Sequence, residues 1–178
     1  MHRDIKPENI LLVNEKKVKI LDFGVSVDKY FANDIFKTKI IGSLKYISPE
    51  VVANQEVSSR SDLYSLGIMM FEMLTGKPPF INSESLALIR KHLYAPMPRV
   101  TVYQPEVSQQ IENIIIKATA KNVEDRYQTP QAMIADLEKS FETSNRNVSP
   151  FFLARTSYQG SIQNPLFLKD FGFKNIIS

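Results

Sequence analysis

Residues 2–9 read His-Arg-Asp-Ile-Lys-Pro-Glu-Asn, and this stretch decides the fold. Residues 22–24 read Asp-Phe-Gly, so that Asp22 comes 18 positions after Asp4. Two further segments follow in order, Ser48-Pro49-Glu50 and the run from Asp62 to Gly67. A three-residue string recurs by chance in many chains, but an eight-residue stretch followed by three more segments at set positions does not. The four segments are therefore interpreted as one set.

In sequence and in order, the four segments resemble parts of the Ser/Thr protein kinases: the catalytic loop, the Asp-Phe-Gly motif, the end of the activation segment and the central helix. The resemblance covers roughly residues 2–141. Lys6-Pro7-Glu8 is typical of the Ser/Thr class, and residues 59–67 and 121–129 are most similar to bacterial, eukaryotic-like kinases of the PknB/PrkC type. The resemblance implies the protein-kinase-like fold (α+β), here its C-terminal lobe, mostly α-helical with short β-hairpin elements.

The same resemblance implies a chemical role for each residue of the catalytic loop. Phosphoryl transfer depends mainly on positioning and on charge neutralisation. Asp4 would accept the proton of a substrate hydroxyl, and Lys6 would stabilise the charge that develops on the transferred phosphate. Asn9 and Asp22 offer hard oxygen ligands, which suit Mg²⁺. Leu11 would lie under the adenine ring of ATP.

Other residues would support this site, again by resemblance. His2 and Phe23 would belong to the stack of side chains that runs through the active lobe, and Gly24 completes the motif that contains Phe23. Ser43 stands where Ser/Thr kinases usually have threonine, and it keeps the hydroxyl that would bond to Asp4 and Lys6.

Three charged residues are expected to hold the lobe together. Asp62 resembles the buried acid that binds the backbone of the catalytic loop from the central helix. Glu50 and Arg126 resemble the ion pair that ties the activation segment to the late helices. The alternative for each of the three is an ordinary solvated charge.

Hydrophobic periodicity outlines the elements around these motifs. Residues 10–21 contain two short apolar runs around four polar residues, which predicts a hairpin that brings the first two motifs to one cleft. Residues 22–50 show no steady period and are predicted to form a long loop. The predicted helices are 62–75, about 83–92, about 108–121, and one that begins at Pro130 with Thr129 as its cap, and a loop is predicted at 94–106.

The periodicity also divides the chain. Residues 1–141 are predicted to form the C-terminal lobe. From about residue 143 the pattern ends, and the aromatic residues beyond it recur at neither a helical nor a strand period. Residues 142–178 are therefore interpreted as a tail of unknown role.

Composition limits the classes of function. The apolar and charged fractions, 43% and 23%, are ordinary for a soluble protein, and the lack of cysteine excludes disulfides and thiolate metal sites. The net charge of +3 comes from scattered basic residues, which favours a mildly basic enzyme over a nucleic-acid partner. The sequence contains no apolar stretch of 18 residues, so no membrane span is predicted. The expected location is cytoplasmic, and this expectation allows a parent kinase that is anchored to the cytosolic face of the membrane.

Several kinase elements are missing from the sequence. None of the six glycines forms a Gly-x-Gly-x-x-Gly loop, and no Val-Ala-x-Lys strand precedes the catalytic loop. Because these elements hold the ATP phosphates in kinases generally, the N-terminal β-rich lobe is expected to be absent and this chain to be inactive alone. The favoured interpretation is a truncated Ser/Thr kinase, which uses ATP and Mg²⁺ on protein substrates. The alternative is a non-catalytic docking or scaffold module, and nucleotide binding separates the two.

Thr38 is predicted to be an activating phosphosite of the complete kinase, because it is the only threonine between Asp22 and Glu50. A phosphate adds about −1.5 to −2 charge, and pairing it with Arg3 would order the loop and align Asp4. Mass spectrometry of the complete, ATP-treated kinase should find phosphate on Thr38, and Thr38→Ala should lower activity. An unmodified Thr38 in a fully active preparation contradicts the assignment and leaves Thr38 an ordinary exposed loop residue.

Overall fold

A computed structural model describes residues 1–14, 17–21 and 44–144. Within these residues a single two-stranded sheet precedes a series of helices, so the expected fold class, mostly helical with a short hairpin, is confirmed. The strands are β1 (Ile10–Asn14) and β2 (Lys17–Ile20). The α-helices are α1 (Pro49–Val52), α2 (Ser59–Thr75), α3 (Ser85–Tyr94), α4 (Val100–Tyr103), α5 (Gln109–Ala118) and α6 (Pro130–Ser144), and short 3-10 turns span Pro7–Asn9 and Val123–Asp125.

The hairpin has the alternation expected of a sheet with one covered face. The strands are antiparallel, and Ile10 lies opposite Ile20. Ile10, Val18 and Ile20 pack against the core, whereas Leu11 and Val13 are 48% and 47% exposed on the other face. The hairpin therefore presents Leu11, the residue expected under the adenine ring, on its outer face.

Helix α2 is the centre of the core. Its side chains are buried on nearly all sides, as the apolar sequence predicts. It begins at Ser59, three residues earlier than predicted, because Ser58 and Ser61 form a reciprocal capping box. It ends where Gly76 adopts a left-handed conformation, with φ of 75°. At Gly67 the missing side chain lets α5 approach, since a Cβ there would lie 2.7 Å from the Cγ2 atom of Thr119.

The later helices follow the predicted pattern with shifted ends. Helix α5 was predicted to begin at about residue 108, and the side chain of Ser108 caps it. It ends at Ala118 instead of continuing to Lys121. The hydroxyl of Thr129 accepts a hydrogen bond from the backbone N–H of Ala132 at 3.2 Å, which caps α6. The apolar face of α6 contains Met133, Leu137 and Phe141. Met133 and Leu137 are buried, and Phe141 is partly buried.

Helix α4 lies inside residues 94–106, which were predicted to be a loop, and that prediction was wrong at this point. Val100 at its start is fully buried. Glu112 of α5 accepts hydrogen bonds from the backbone N–H and hydroxyl of Thr101 at 2.9 and 2.6 Å. It also accepts bonds from Arg99 and Gln109, each at 2.9 Å. The helix therefore depends on a carboxylate that is distant in the sequence, which local patterns do not reveal.

Glu112 has no solvent-exposed surface on its side chain, yet it remains an acceptor for four donors. Burial alone raises the pKa of Glu112, but the hydrogen bonds from Thr101, Gln109 and Arg99 outweigh burial and lower it to about 2. Because the folded pKa lies below the ordinary value of 4.5, the stabilisation is present above pH 4.5 and is lost as the pH falls from there toward 2.

Glu112→Gln is expected to lower the free energy of unfolding by about 2 kcal/mol at pH 7, since the charge-assisted hydrogen bonds weaken. It should also flatten the loss of stability on acidification below pH 4.5, the ordinary pKa of the group. Urea unfolding of the wild type and the variant across this pH range measures both effects. The matched control is Glu124→Gln, because the Glu124 side chain is 71% exposed and its ion pair with Arg60 should contribute little. Equal losses in the two variants contradict the assignment.

Candidate active site

The first anchor of the site is the carboxylate of Asp62 in the first turn of α2. Its two oxygens accept the backbone N–H groups of His2 and Arg3, each at 2.7 Å. Arg3 has a φ of 72°, a left-handed conformation that costs a non-glycine residue on the order of 1–3 kcal/mol. Two hydrogen bonds to one ionised acceptor offset that cost and hold the loop in this shape.

His2 links the catalytic loop to the end of the hairpin. The backbone N–H of Asp4 donates to Nδ1 of His2 at 3.3 Å, so Nε2 carries the ring hydrogen and donates to the carbonyl of Leu21 at 2.9 Å. The N–H of Leu21 in turn donates to the carbonyl of Asn9 at 2.7 Å. Both backbone groups of Leu21 are thus tied to residues 2–9, and Leu21 directly precedes Asp22 in the sequence.

Two side chains converge on Asp4. The Lys6 ammonium lies 2.7 Å from the Oδ2 atom of Asp4. The Nδ2 atom of Asn9 donates to that same oxygen and to the backbone carbonyl of Asp4, both at 2.9 Å. The 3-10 turn that begins at Pro7 brings Asn9 back toward the acid. Both bonds of Asn9 use Nδ2, which leaves its carbonyl oxygen, Oδ1, as the group that can face a cation.

A hollow opens beside Asp4, between the catalytic loop and residues 46–48. Those residues are fixed to α2, because the hydroxyl of Tyr46 donates to buried Glu72 and the hydroxyl of Ser65 donates to the carbonyl of Tyr46 at 2.7 Å. The hollow is lined by Arg3, Asp4, Ile5, Tyr46, Ile47, Ser48, Val51, Val57, Ser61, Asp62 and Ser65. Asp4 therefore forms part of the wall of this hollow.

The second anchor is a buried ion pair between Glu50 of α1 and Arg126. The two carboxylate oxygens of Glu50 accept hydrogen bonds from the two terminal nitrogens of Arg126 at 2.9 and 2.7 Å. The hydroxyl of Ser61 donates to the same carboxylate at 2.6 Å. Burial raises the pKa of Glu50, but the hydrogen bonds from Arg126 and Ser61 outweigh it and hold the pKa below its ordinary value. The pair therefore stays charged and joins three separate parts of the chain.

The guanidinium of Arg126 has an acceptor for each of its five N–H groups. Besides Glu50, it donates to the carbonyls of Ala120, Arg60 and Lys121 at 2.7, 3.3 and 3.2 Å. Its Cζ atom lies 4.9 Å from the ring centre of Tyr64, within the range of a cation–π contact. Lysine could not replace this arrangement, because its three donors lack the planar fork.

The structure brings most of the sequence-predicted residues into two groups. The first group surrounds the catalytic loop and contains His2, Arg3, Asp4, Lys6, Asn9 and Asp62. The second is the pair of Glu50 and Arg126. Leu11 belongs to neither group and is 48% exposed on the outer face of the hairpin. Five predicted residues lie outside the described part of the chain: Asp22, Phe23, Gly24, Thr38 and Ser43.

Some of the residues that support the site were not identified from the sequence. Ser61 had a usable signal, because Ser58 and Ser61 have the spacing of a capping box. Tyr46 and Glu72 had none, since they are 26 residues apart and meet only in the folded chain. None of the described helices is both long and apolar enough to cross a membrane.

Comparison with known proteins gives a consistent set of matches. The model of the protein kinase domain matches residues 1–137. The serine/threonine-protein kinase PrkC of Bacillus subtilis is 38% identical over 151 residues, or 85% of this chain. The serine/threonine-protein kinase PknB of Mycolicibacterium smegmatis is 37% identical over 146 residues, or 80% of this chain. The serine/threonine-protein kinase PknL of Mycobacterium tuberculosis is 41% identical over 139 residues, or 78%.

These relatives are much longer than this chain. The aligned region makes up 23% of PrkC, 23% of PknB and 35% of PknL. The chain thus spans about a quarter to a third of the length of the relatives it matches.

Proposed function

Because the chain belongs to the protein kinase domain family, we propose that it provides the catalytic loop of a Ser/Thr kinase that transfers phosphate from ATP to protein hydroxyls. The relatives are named Ser/Thr kinases, so the expected resemblance to the PknB/PrkC type is confirmed. Protein kinases generally use ATP and Mg²⁺ and act on proteins. The observation that carries the proposal is the convergence of Lys6 and Asn9 on the carboxylate of Asp4.

Asp4 would orient the substrate hydroxyl and accept its proton. Its Oδ2 atom is held by Lys6 and Asn9, at 2.7 and 2.9 Å, and Asp4 lines the hollow, so Oδ1 would be the oxygen that receives the substrate hydroxyl. Because the carboxylate is fixed before substrate arrives, little reorganisation is needed at the moment of transfer.

Lys6 would stabilise the negative charge that develops on the transferred phosphoryl group. Its ammonium lies 2.7 Å from Asp4 and therefore close to the point at which the hydroxyl attacks. There it can neutralise the charge that develops on the transferred phosphoryl group. As a compact charge with three donors, an ammonium can hold the carboxylate and a phosphate oxygen at once.

The donor set fits Mg²⁺. Asn9 keeps a carbonyl oxygen free of hydrogen bonds within the described residues, and Asp22, a carboxylate, follows Leu21, whose backbone is tied to Asn9. Mg²⁺ usually takes one or two such oxygens together with water and substrate phosphates. The chemistry that such an ion would supply is positive charge to neutralise the phosphate oxygens. Asn9 and Asp22 would hold it.

The alternative from another class is a non-catalytic docking or scaffold module. Such a module would need the packed helices and the Glu50–Arg126 pair, but it has no chemical use for a lysine and an amide directed at Asp4. The polar cluster around Asp4 is therefore the feature that favours an enzyme.

In a fusion that joins this chain behind the small, ATP-binding lobe of a bacterial Ser/Thr kinase, Asp4→Asn is expected to lower kcat roughly 10²–10⁴-fold, because the proton acceptor is lost. Asp22→Ala should instead abolish the Mg²⁺-dependent part of ATP affinity. Transfer of labelled phosphate to a protein substrate and ATP titrations with and without Mg²⁺ measure the two effects.

Two controls accompany that experiment. The 178-residue chain by itself, tested in parallel, is expected to transfer no phosphate. Asp28→Ala removes a carboxylate from the same stretch of sequence and should leave ATP affinity unchanged. Full transfer by a folded Asp4→Asn fusion would remove Asp4 from the proposed chemistry. A folded wild-type fusion that transfers no phosphate would favour the docking module. Unchanged affinity in Asp22→Ala would remove Asp22 from the metal site.

A further inference from the structure

Ser65 of α2 has a hydroxyl that the proposed chemistry does not use. Its Oγ atom lies 2.7 Å from the carbonyl oxygen of Tyr46 and 3.2 Å from that of Ser61. A serine inside a helix commonly donates to the carbonyl four residues before it, which here is Ser61. A hydroxyl has a single hydrogen, and the shorter distance assigns it to Tyr46. The main hydrogen bond of Ser65 therefore leaves its own helix.

Ser65 lies on the same face of α2 as Asp62, because residues three apart in a helix are neighbours on its surface. Both residues line the hollow beside Asp4. Asp62 accepts two backbone N–H groups of the catalytic loop, each at 2.7 Å, and Ser65 donates to the carbonyl of Tyr46. One turn of α2 thus holds both segments that border the hollow, the first through an acceptor and the second through a donor.

The helix sets the spacing between these two contacts. The Cβ atoms of side chains three residues apart lie about 5–6 Å from each other on a helix. Because α2 is buried on nearly all sides, this spacing is held by the core. The catalytic loop carries Asp4, so the spacing determines where residues 46–48 stand relative to its carboxylate.

The bond from Ser65 acts directly on the backbone of Tyr46. The hydroxyl of Tyr46 also donates to Glu72 of α2, but that bond lies at the end of a long side chain and restrains the main chain only indirectly. The carbonyl of Tyr46 shares one planar peptide with the N–H of Ile47, so holding its oxygen fixes the orientation of that peptide. Ser65 therefore supplies an orientation that the contact with Glu72 does not.

We propose that Ser65 is a positioning residue for protein-substrate binding: its hydroxyl orients the Tyr46 peptide and so holds residues 46–48 at a set distance from the loop that carries Asp4. The substrate part of this proposal rests on the proposed function, whereas the hydrogen bond does not. If the hydroxyl instead serves only its own helix, through Ser61, its removal should leave Tyr46 unchanged.

The hydrogen bond is tested first in the 178-residue chain, labelled with ¹³C and ¹⁵N. Ser65→Ala removes the donor without adding bulk, and the carbonyl ¹³C resonance of Tyr46 is expected to move to lower frequency, because a carbonyl that loses a donor becomes more shielded. Ser65→Thr keeps a hydroxyl and should return the resonance toward its wild-type position. Ser59→Ala, at an exposed position of the same helix, should leave it unchanged. An unchanged Tyr46 resonance in Ser65→Ala overturns the proposal.

The effect on substrate binding is tested in the fusion with the small, ATP-binding lobe. Without the bond, residues 46–48 must be ordered when substrate binds, so Ser65→Ala should raise the KM for a protein substrate about twofold to tenfold, the value of one hydrogen bond. The kcat and the KM for ATP should stay at their wild-type values, because Asp62 still holds the catalytic loop. Ser65→Thr should recover the lower KM, and Ser59→Ala should not change it. An equal rise in both KM values, or a fall in kcat alone, contradicts a role on the substrate side.

The two measurements separate failure of the contact from failure of the proposed function. A Tyr46 resonance that responds to Ser65→Ala, together with a wild-type fusion that transfers no phosphate, contradicts the proposed function and leaves the hydrogen bond established. An active fusion in which Ser65→Ala has the wild-type KM for its protein substrate contradicts only the role given to Ser65.

Discussion

The carboxylate of Asp62 binds the backbone N–H groups of His2 and Arg3 at once, and the geometry of the catalytic loop depends on that double contact. Asp62 can serve as a fixed point because it belongs to the first turn of a helix that is buried on nearly all sides. A loop held at two successive N–H groups cannot rotate without breaking both bonds. The left-handed backbone of Arg3 is the conformational cost of that arrangement.

The same helix organises the other half of the lobe. Ser61, one residue before Asp62, donates to Glu50, and Tyr64 lies against the guanidinium of Arg126. Within a single turn, α2 therefore contacts both the catalytic loop and the buried ion pair. Removing one partner from a buried ion pair commonly costs about 3–5 kcal/mol, a fifth or more of the stability of a typical domain. One buried helix thus supports both the ion pair and the catalytic loop.

Much of this arrangement could be predicted from the sequence, because motif residues and apolar periodicity are local signals. The hairpin, the central helix and the caps at Ser108 and Thr129 follow from residues close to one another in the chain. Helix α4 could not be predicted, because tertiary contacts stabilise it. Val100 is buried in the core, and Thr101 donates to Glu112, which is 11 residues away in the sequence.

The contacts among Tyr64, His92 and Lys121 could not be predicted for the same reason. Tyr64 and His92 are 28 residues apart, and nothing in the sequence around a lone histidine indicates that its ring is enclosed and hydrogen-bonded. The sequence around Lys121 likewise does not indicate that its ammonium donates to the carbonyls of Lys91 and His92 near the end of α3. Tertiary partners decide the protonation, direction and strength of such contacts, and a single sequence does not contain them.

The backbone φ of Arg3 is the most direct measure of whether Asp62 organises the catalytic loop. Scalar and residual dipolar couplings of the full chain report this angle in the wild type and in Asp62→Asn, where a carboxylate oxygen is replaced by a donor that faces another donor. A left-handed φ near 72° is expected in the wild type, and it should relax to an ordinary negative value in Asp62→Asn. A left-handed Arg3 that persists in the variant, or that is missing in the wild type, would contradict the role given to Asp62.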